Sequence, residues 1–485
     1  MHVSSLPGPY GIGTFGKCAY DFIDFLSGSG QSYWQLLPLC PTGYGDSPYQ
    51  SFSTFAGNHY FIDLDLLKEE GLLTAEEIDS VDWCKTPERV DYGCLYENRA
   101  KVLQLAWKRF SPSPSYLSFI EENGEWLSDY ALFMALKEHF MGQHWQDWPE
   151  ELKLRNPQAL GNCRCQLADA ISFQCFLQYQ FYSQWQNLRN YASSKGIRII
   201  GDVPIYLPLD SADVWSHPEL FWLDENRRPR LVAGRPPDSF SATGQLWGNP
   251  LYDWEQLRKT GYQWWILRLK AAARLYDVIR IDHFRGFESY WAVPADQDTA
   301  MIGNWLPGPG ADFIRTIQDA LPEIDFIAED LGYLTKEVRA LQSFSGWPGM
   351  KVMQFAFDSR EAGNYLPHLY PVNSICYSGT HDNMTLKQWF DDASEEDVAE
   401  AYAYLGLHEE EGPIWGMIRG CMSSVSRLAV VQMQDYLELG GFARMNTPGL
   451  LSEENWCWRA DAAMFTPFLA EKIRTVTKRY GRLPS

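Results

Sequence analysis

The sequence predicts an α/β fold, a (β/α)8 TIM barrel with large insertions, including a mainly helical subdomain after the second strand. Three observations predict it. Short apolar runs alternate with helical patterns, the runs are continuously apolar as in strands covered on both faces, and a polar residue stands where most of them end. In a barrel the chemistry gathers at the C-terminal ends of the strands, so polar ends at Asp202, Asp282, Glu329, Asp382 and Asn446 favour it. An open doubly wound sheet has one crevice and uses fewer strand ends.

In chain order, residues 1–5 are assigned as the first strand, barely long enough for one. Residues 15–30 put Phe15, Cys18, Ala19, Phe22, Phe25 and Leu26 on one helical face and end in GSG. The run SYWQLLPLC (32–40) follows as a buried strand closed by Pro41 and Gly43. Further strands are read at 197–207, 277–284, 325–332, 351–357, 374–381 and 441–446. Helical patterns stand between most of them, at 255–276, 311–321, 335–344 and 413–439, and the end of the chain, 452–482, also reads as helix.

Two stretches are too long for ordinary connections. The first has a helical character: TAEE (74–77) resembles a capping box, and 130–140 and 168–191 carry helical periodicity. The second holds Trp215, Phe221, Trp222, Trp247 and Trp254 but no long periodic segment, which suits a functional loop. The chain therefore divides into the start of the barrel (1–65), a helical insertion (66–191), the third strand (192–211), an aromatic-rich insertion with a lid loop (212–254), and the rest of the barrel with C-terminal helices (255–485).

Of the 485 residues, 41 are Lys or Arg and 62 are Asp or Glu, a formal charge of −21. Such a field repels phosphate backbones and anionic membrane surfaces, so neither nucleic acid nor membrane is expected as a partner. No stretch reaches ~18 apolar residues, and the first residues lack a basic region followed by an apolar run. The ten cysteines form no zinc spacing, Cys163 and Cys165 being too close for half of a CxxC pair, and read as reduced thiols of a cytoplasmic protein. Trp, Tyr and Phe make up 15% of the chain. Large rings suit the apolar faces of sugars, although a large core also consumes them.

Three strings carry the chemistry: RIDHFRG (280–286), AEDLG (328–332) and GTHDN (379–383). Each sets an acid at or just after a strand end, and a barrel would bring the three to one mouth. Carboxylates meeting in a wet pocket with aromatic neighbours suit cleavage and transfer of glycosidic bonds. Arg280 and Asp282 lie two residues apart and share a strand face, so the cation is expected to keep Asp282 ionised at neutral pH. Asp330 reads as a salt-bridge partner or helix cap. His283 and His381 flank the acids, but no HxH or HExxH string accompanies them and no metal is expected.

These strings, with SLPGPYGIGTFG (5–16), YWQLLPL (33–39), DSPYQSFSTFAGN (46–58), GDVPIYL (201–207), GQLWGNPLYDW (244–254) and ARMNTPG (443–449), resemble the amylomaltase-type 4-α-glucanotransferases, relatives of the α-amylases, along nearly the whole chain. The resemblance implies retaining transfer of a segment of an α-1,4-glucan to the 4-hydroxyl of another glucan or of glucose. It makes Asp282 the nucleophile that forms a glycosyl-enzyme, Glu329 the general acid and then base, and Asp382 the residue that stabilises the transition state. For substrate binding it implies Arg280, His381, Tyr49 with Ser47, Gln245 and Trp247, with Asp202 either binding sugar or only orienting Arg280 and Asn446 either touching the glucan or only making a turn with Pro448 and Gly449; Phe355 and Asp358 are weaker candidates, and His283 reads equally well as structural. Trp247, between Gly244 and Gly248, is expected to close on the sugar and exclude water. Maltooligosaccharides, longer α-1,4-glucans and glucose are the expected partners, no cofactor is implied, and the oligomeric state stays open. Members usually have a few apolar residues forming a first strand before SLPGPYGIG, where this chain begins, so barrel closure is expected to be weak there. The rival readings are an α-glucan hydrolase with the same acids, a non-catalytic glucan-binding barrel, and a metal-dependent hydrolase.

Overall fold

The computed structural model describes residues 1–43, 45–83, 86–237, 241–332, 334–359 and 365–484. Its strands in chain order are β1 (Tyr33–Gln35), β2 (Arg198–Val203), β3 (Leu231–Arg235), β4 (Gln245–Pro250), β5 (Val278–Ile281), β6 (Ser289–Pro294), β7 (Asn304–Pro307), β8 (Asp325–Ala328), β9 (Gly349–Val352), β10 (Ser374–Tyr377) and β11 (Leu428–Val430). Seven of them form one parallel sheet in the order β1-β2-β5-β8-β9-β10-β11. Five of the six strands of this sheet after β1 follow an α-helix, among them Ala168–Ser194 before β2, Gln263–Leu275 before β5 and Gly310–Ala320 before β8. The fold is thus an α/β fold with parallel strands covered by helices.

The sheet curls into a half-barrel. Ile200, Val278, Ile327, Met350, Val352, Ile375 and Tyr377, from five of its strands, meet in one buried cluster, against which Tyr33, Leu428 and Val430 pack. Tyr377 on β10 donates to Gln35 Oε1 on β1 across 3.1 Å, so strands far apart in the sheet face each other through the interior. Among the described residues, β1 and β11 are the two ends of the sheet and do not pair with each other.

Several expected elements differ. Residues 1–5 are not a strand: Val3–Ser5 makes a single 3-10 turn, and the Met1 carbonyl accepts from Trp34 Nε1 at 2.7 Å. Residues 441–446 contain the 3-10 turn Gly441–Ala443, and the last strand of the sheet is instead β11, inside the stretch read as one helix at 413–439. That helix stops at Ser423, whose hydroxyl donates back to the Gly420 carbonyl at 3.0 Å, and Ser424 continues in an extended conformation. The C-terminal helix is only Pro467–Arg479, started by the Thr466 cap and Pro467 in its first turn, so 452–466 is mostly irregular.

From Leu64–Glu69 to Ala168–Ser194 the named elements are all helices, and the Thr74–Glu77 capping box forms. With residues 1–5 outside the sheet, this helical stretch follows the first strand of the sheet, not the second. The segment 212–254 is not aperiodic either. It contains β3 and β4, which join β6 and β7 in an antiparallel sheet of order β4-β3-β6-β7. Residues 238–240 lie outside the described ones.

Candidate active site

Side chains alternate along a strand, and the inner face of the half-barrel follows that period. On β2 the inward series is Ile200 then Asp202, on β5 it is Val278, Arg280 and then Asp282, and on β8 Ile327 then Glu329. The lower layer is apolar and holds the sheet together. The layer above it, at the C-terminal strand ends, is charged.

Arg280 organises the charged layer. Its Nη1 donates to both oxygens of Asp202 at 2.7 Å and to Asp282 Oδ1 at 3.1 Å, while Nε lies 3.3 Å from the Met350 sulfur. Tyr49 donates its hydroxyl to Asp202 Oδ2 at 2.7 Å. The Asp202 side chain is 1% exposed and that of Asp282 31%, so Asp202 supports the cation from beneath while Asp282 faces the opening.

Glu329 comes from the neighbouring strand. Ile281 pairs with Ala328, so Asp282 and Glu329 are the next residues on two adjacent strands, whose backbones run ~4.7–4.9 Å apart. Both Glu329 oxygens accept backbone N–H groups, Oε2 from His283 and Oε1 from Leu331, each at 2.8 Å. His283 reaches this position because it adopts a left-handed conformation (φ 54°), uncommon for a residue with a side chain. Its ring packs edge-to-face on Trp247 at 4.8 Å and against Tyr206 at 6.5 Å, which gives His283 a packing role.

Trp247 therefore stands beside the acids, but in a strand and not in a free loop. On β4, Leu246 faces Gly234 and Pro250 faces Val232, so β4 has more residues than β3 between these pairs. Such a bulge re-aims the side chains within it. The indole N–H donates to Gln245 Oε1 at 3.1 Å. Gly244 and Gly248 on either side have φ of 70° and 75°, a conformation that favours glycine.

The third acid arrives on the turn after β10. Asp382 Oδ1 accepts from Asn446 Nδ2 at 2.6 Å and lies 3.4 Å from His381 Nε2, and Arg444 donates to the Asp382 carbonyl at 2.7 Å. The Asp382 side chain is 46% exposed. His381 stacks on Tyr49 at 5.1 Å with 17° between the planes, and Trp456 leans on both rings at 5.8 and 5.9 Å.

Burial governs the protonation of this cluster. It pushes the Asp282 carboxyl up to about 8, helped by the charges of Asp202, Glu329 and Asp382 and opposed by Arg280. This runs against the expectation that Arg280 would keep Asp282 ionised at neutral pH. Burial also raises Glu329, against the pull of Arg280 and the two backbone N–H groups. Arg280 is held well above its ordinary value by Asp202 and Asp282 in spite of burial, so it stays charged. His283 is lowered to about 3 and His381 is also lowered, both by burial first, so both rings are neutral near pH 7.

Asp282, Glu329, Asp382, Arg280, Asp202, Tyr49, His381 and Asn446 thus form one cluster, with Trp247 and Gln245 joined to it through His283. Ser47 touches it only by accepting from the Tyr49 N–H at 3.3 Å. Phe355 packs on the inner apolar layer and against Tyr365. Asp330 accepts from the Met350 N–H at 2.6 Å and lies 4.0 Å from Lys351 Nζ, a structural tie between β8 and β9. Trp456 and Arg444 were not singled out from the sequence. Arg444 sits within a quoted string, whereas Trp456 falls in a stretch read as helix. The nine cysteines among the described residues are free, and Cys84 lies outside them. Among the described residues no cluster of His, Cys, Asp and Glu is arranged to hold a metal ion, and no helix is long and apolar enough to cross a membrane.

The chain matches the family model described as 4-alpha-glucanotransferase over residues 1–464. It is 49% identical to a 4-alpha-glucanotransferase of Clostridium butyricum over 486 aligned residues, covering 99% of this chain and all of that one. It is 46% identical to one of Thermus thermophilus, covering 100% of this chain and 98% of the relative. Its fold superposes on the amylomaltase of Streptococcus agalactiae in complex with acarbose with a TM-score of 0.97 at 41% identity, covering 100% and 99% of the two chains. A more distant likeness, to an amylomaltase of Corynebacterium glutamicum (TM-score 0.79, 18% identity, 99% of this chain and 73% of that one), speaks for the fold alone.

Proposed function

We infer the chemistry of this chain from its own cleft and from the family to which it belongs, the 4-alpha-glucanotransferases: a retaining transfer in two steps, with Asp282 as nucleophile and Glu329 as acid and then base. The protein is an enzyme with 4-alpha-glucanotransferase activity. In the first step the Asp282 carboxylate attacks the anomeric carbon, the glycosidic C–O bond breaks, and Glu329 gives its proton to the leaving oxygen. In the second step the 4-hydroxyl of an acceptor attacks the same carbon, its proton passes to Glu329, and the ester bond to Asp282 breaks. Asp382 and His381 hold sugar hydroxyls, and Tyr49 carries the donor chain.

The observation that carries this reading is the pairing of Ile281 with Ala328. It leaves Asp282 and Glu329 at neighbouring strand ends, which supports two carboxyl groups flanking one glycosidic bond, the arrangement a retaining pair needs. The donors are α-1,4-glucans and maltooligosaccharides, and glucose serves as an acceptor; the relative crystallised with acarbose supports an α-glucan ligand. Incubation of the pure protein with maltotriose tests the reaction. A ladder of longer oligosaccharides with released glucose is expected, whereas glucose and maltose without longer products would mean hydrolysis.

A further inference from the structure

Beneath the turn that carries Asp382 lies a carboxylate that takes no part in the cluster above. Asp435 is fully buried, on the short helix Met433–Tyr436 that follows β11. Its Oδ2 accepts from the Ser378 hydroxyl at 2.6 Å and its Oδ1 from the Leu386 N–H at 2.7 Å. Ser378 is the first residue after β10, and Leu386 opens the helix Leu386–Asp392. The segment between them contains GTHDN, hence both His381 and Asp382.

We propose that Asp435 is a positioning residue of the transfer reaction, tying both ends of the Ser378–Leu386 turn to the sheet so that Asp382 meets the sugar in register. The physical case rests on what a carboxylate can do there. It offers two acceptors on one rigid plane, and the two donors it serves begin and end the turn, whose middle is held separately by Arg444 on the Asp382 carbonyl, by Asn446 on the Asp382 carboxylate and by the Asn383 side chain on Thr380. The Leu386 N–H is a first-turn donor without a partner inside its own helix, and Asp435 supplies one. Further ties hold the two ends of the turn. The Ser378 N–H donates to the Val430 carbonyl, Gln432 N–H to the Ser378 hydroxyl oxygen, and Gln354 Nε2 to the Met384 carbonyl. An apolar residue of similar size would fill the space but leave the turn free to shift. Displacements of ~1 Å at a reacting group cost about 10²-fold in rate.

The inference rests on the reading of Asp382 as a group that acts on the transition state, and the test separates the two. Asp435→Asn keeps the volume but takes the charged acceptor from both ties, and the Ser378 hydroxyl has to turn and accept where it now donates. Disproportionation of maltotriose by the folded variant should lose about 10–100-fold in kcat with KM changed by less than about twofold. With an α-maltosyl fluoride donor, adding Asp435→Asn to Asp382→Asn should cost severalfold less than Asp435→Asn costs alone, because the turn then no longer delivers the carboxylate and carries only His381. Ser378→Ala, which removes one tie, should lower kcat in the same sense, and it carries the test if Asp435→Asn does not fold. Unchanged kcat in Asp435→Asn or Ser378→Ala, or an equal loss with and without the Asp382 carboxylate, would overturn the inference while leaving the role of Asp382 standing. Full transfer activity in Asp382→Asn alone would overturn that role, and with it the reason for the clamp.

Discussion

Arg280 donates to Asp282 Oδ1 across 3.1 Å, from the neighbouring inward position of the same strand, with the nitrogen that also holds Asp202. One cation thus serves a carboxylate beneath it and another at the mouth. Removing it strands the lower one. Arg280→Ala should destabilise the protein by about 3–5 kcal/mol, the usual cost of leaving one partner of a buried ion pair alone, seen as a lower urea midpoint. Arg280→Lys keeps the charge but not the planar fork, so it should fold better than the alanine variant and still lose turnover. Equal stability of Arg280→Ala and the unaltered protein would contradict the buried pair.

The pH dependence follows from burial. Asp282 must be ionised to attack, and in the free protein its carboxyl is pushed up to about 8, so kcat/KM should still be climbing between pH 6 and pH 8. An acid limb near pH 4, where an ordinary aspartate titrates, would contradict it. The sign for stability is opposite to that of a salt-bridged aspartate. From the ordinary aspartate value of 3.8 up to about 8 the native state holds the proton that the unfolded chain has lost, so this group's contribution to stability falls as pH rises through that interval.

Trp247 bears on what the intermediate meets next. Its ring lies against His283, whose backbone N–H holds Glu329, and on the proposed roles its removal would open the cleft beside Glu329 to water. Trp247→Ala should raise the ratio of hydrolysis to transfer severalfold on maltotriose, read as glucose and maltose gained at the expense of longer products. An unchanged ratio would leave water exclusion to other groups.

The parts of the molecule legible in the sequence are those governed by short-range pattern. The capping box at Thr74, the helix after residue 15, and the acids at the ends of β5, β8 and β10 are all local signals, and strand alternation set Arg280 and Asp282 on one face. What stayed hidden depends on partners distant in the chain. β11 was masked by apolar residues that continue the period of the helix before it, and only its pairing with β10 identifies it as a strand. The bulge that aims Trp247 arises from the register of β4 on β3, which the string GQLWGNP does not encode by itself. Asn446 reads from sequence either as a glucan contact or as part of a turn with Pro448 and Gly449, and in the fold its amide is engaged with Asp382. The elevated Asp282 carboxyl is a consequence of burial among other acids, which no neighbouring residue in the chain announces.

The central claim is the division of labour between Asp282 and Glu329. Glu329→Gln removes the proton donor but leaves the nucleophile, so an α-glycosyl fluoride, which needs no protonation to depart, should still load the protein while deglycosylation stalls. Mass spectrometry of the digested variant should find the added sugar on the peptide that contains Asp282. Sugar on any other carboxylate, or none at any time of incubation, would contradict the account.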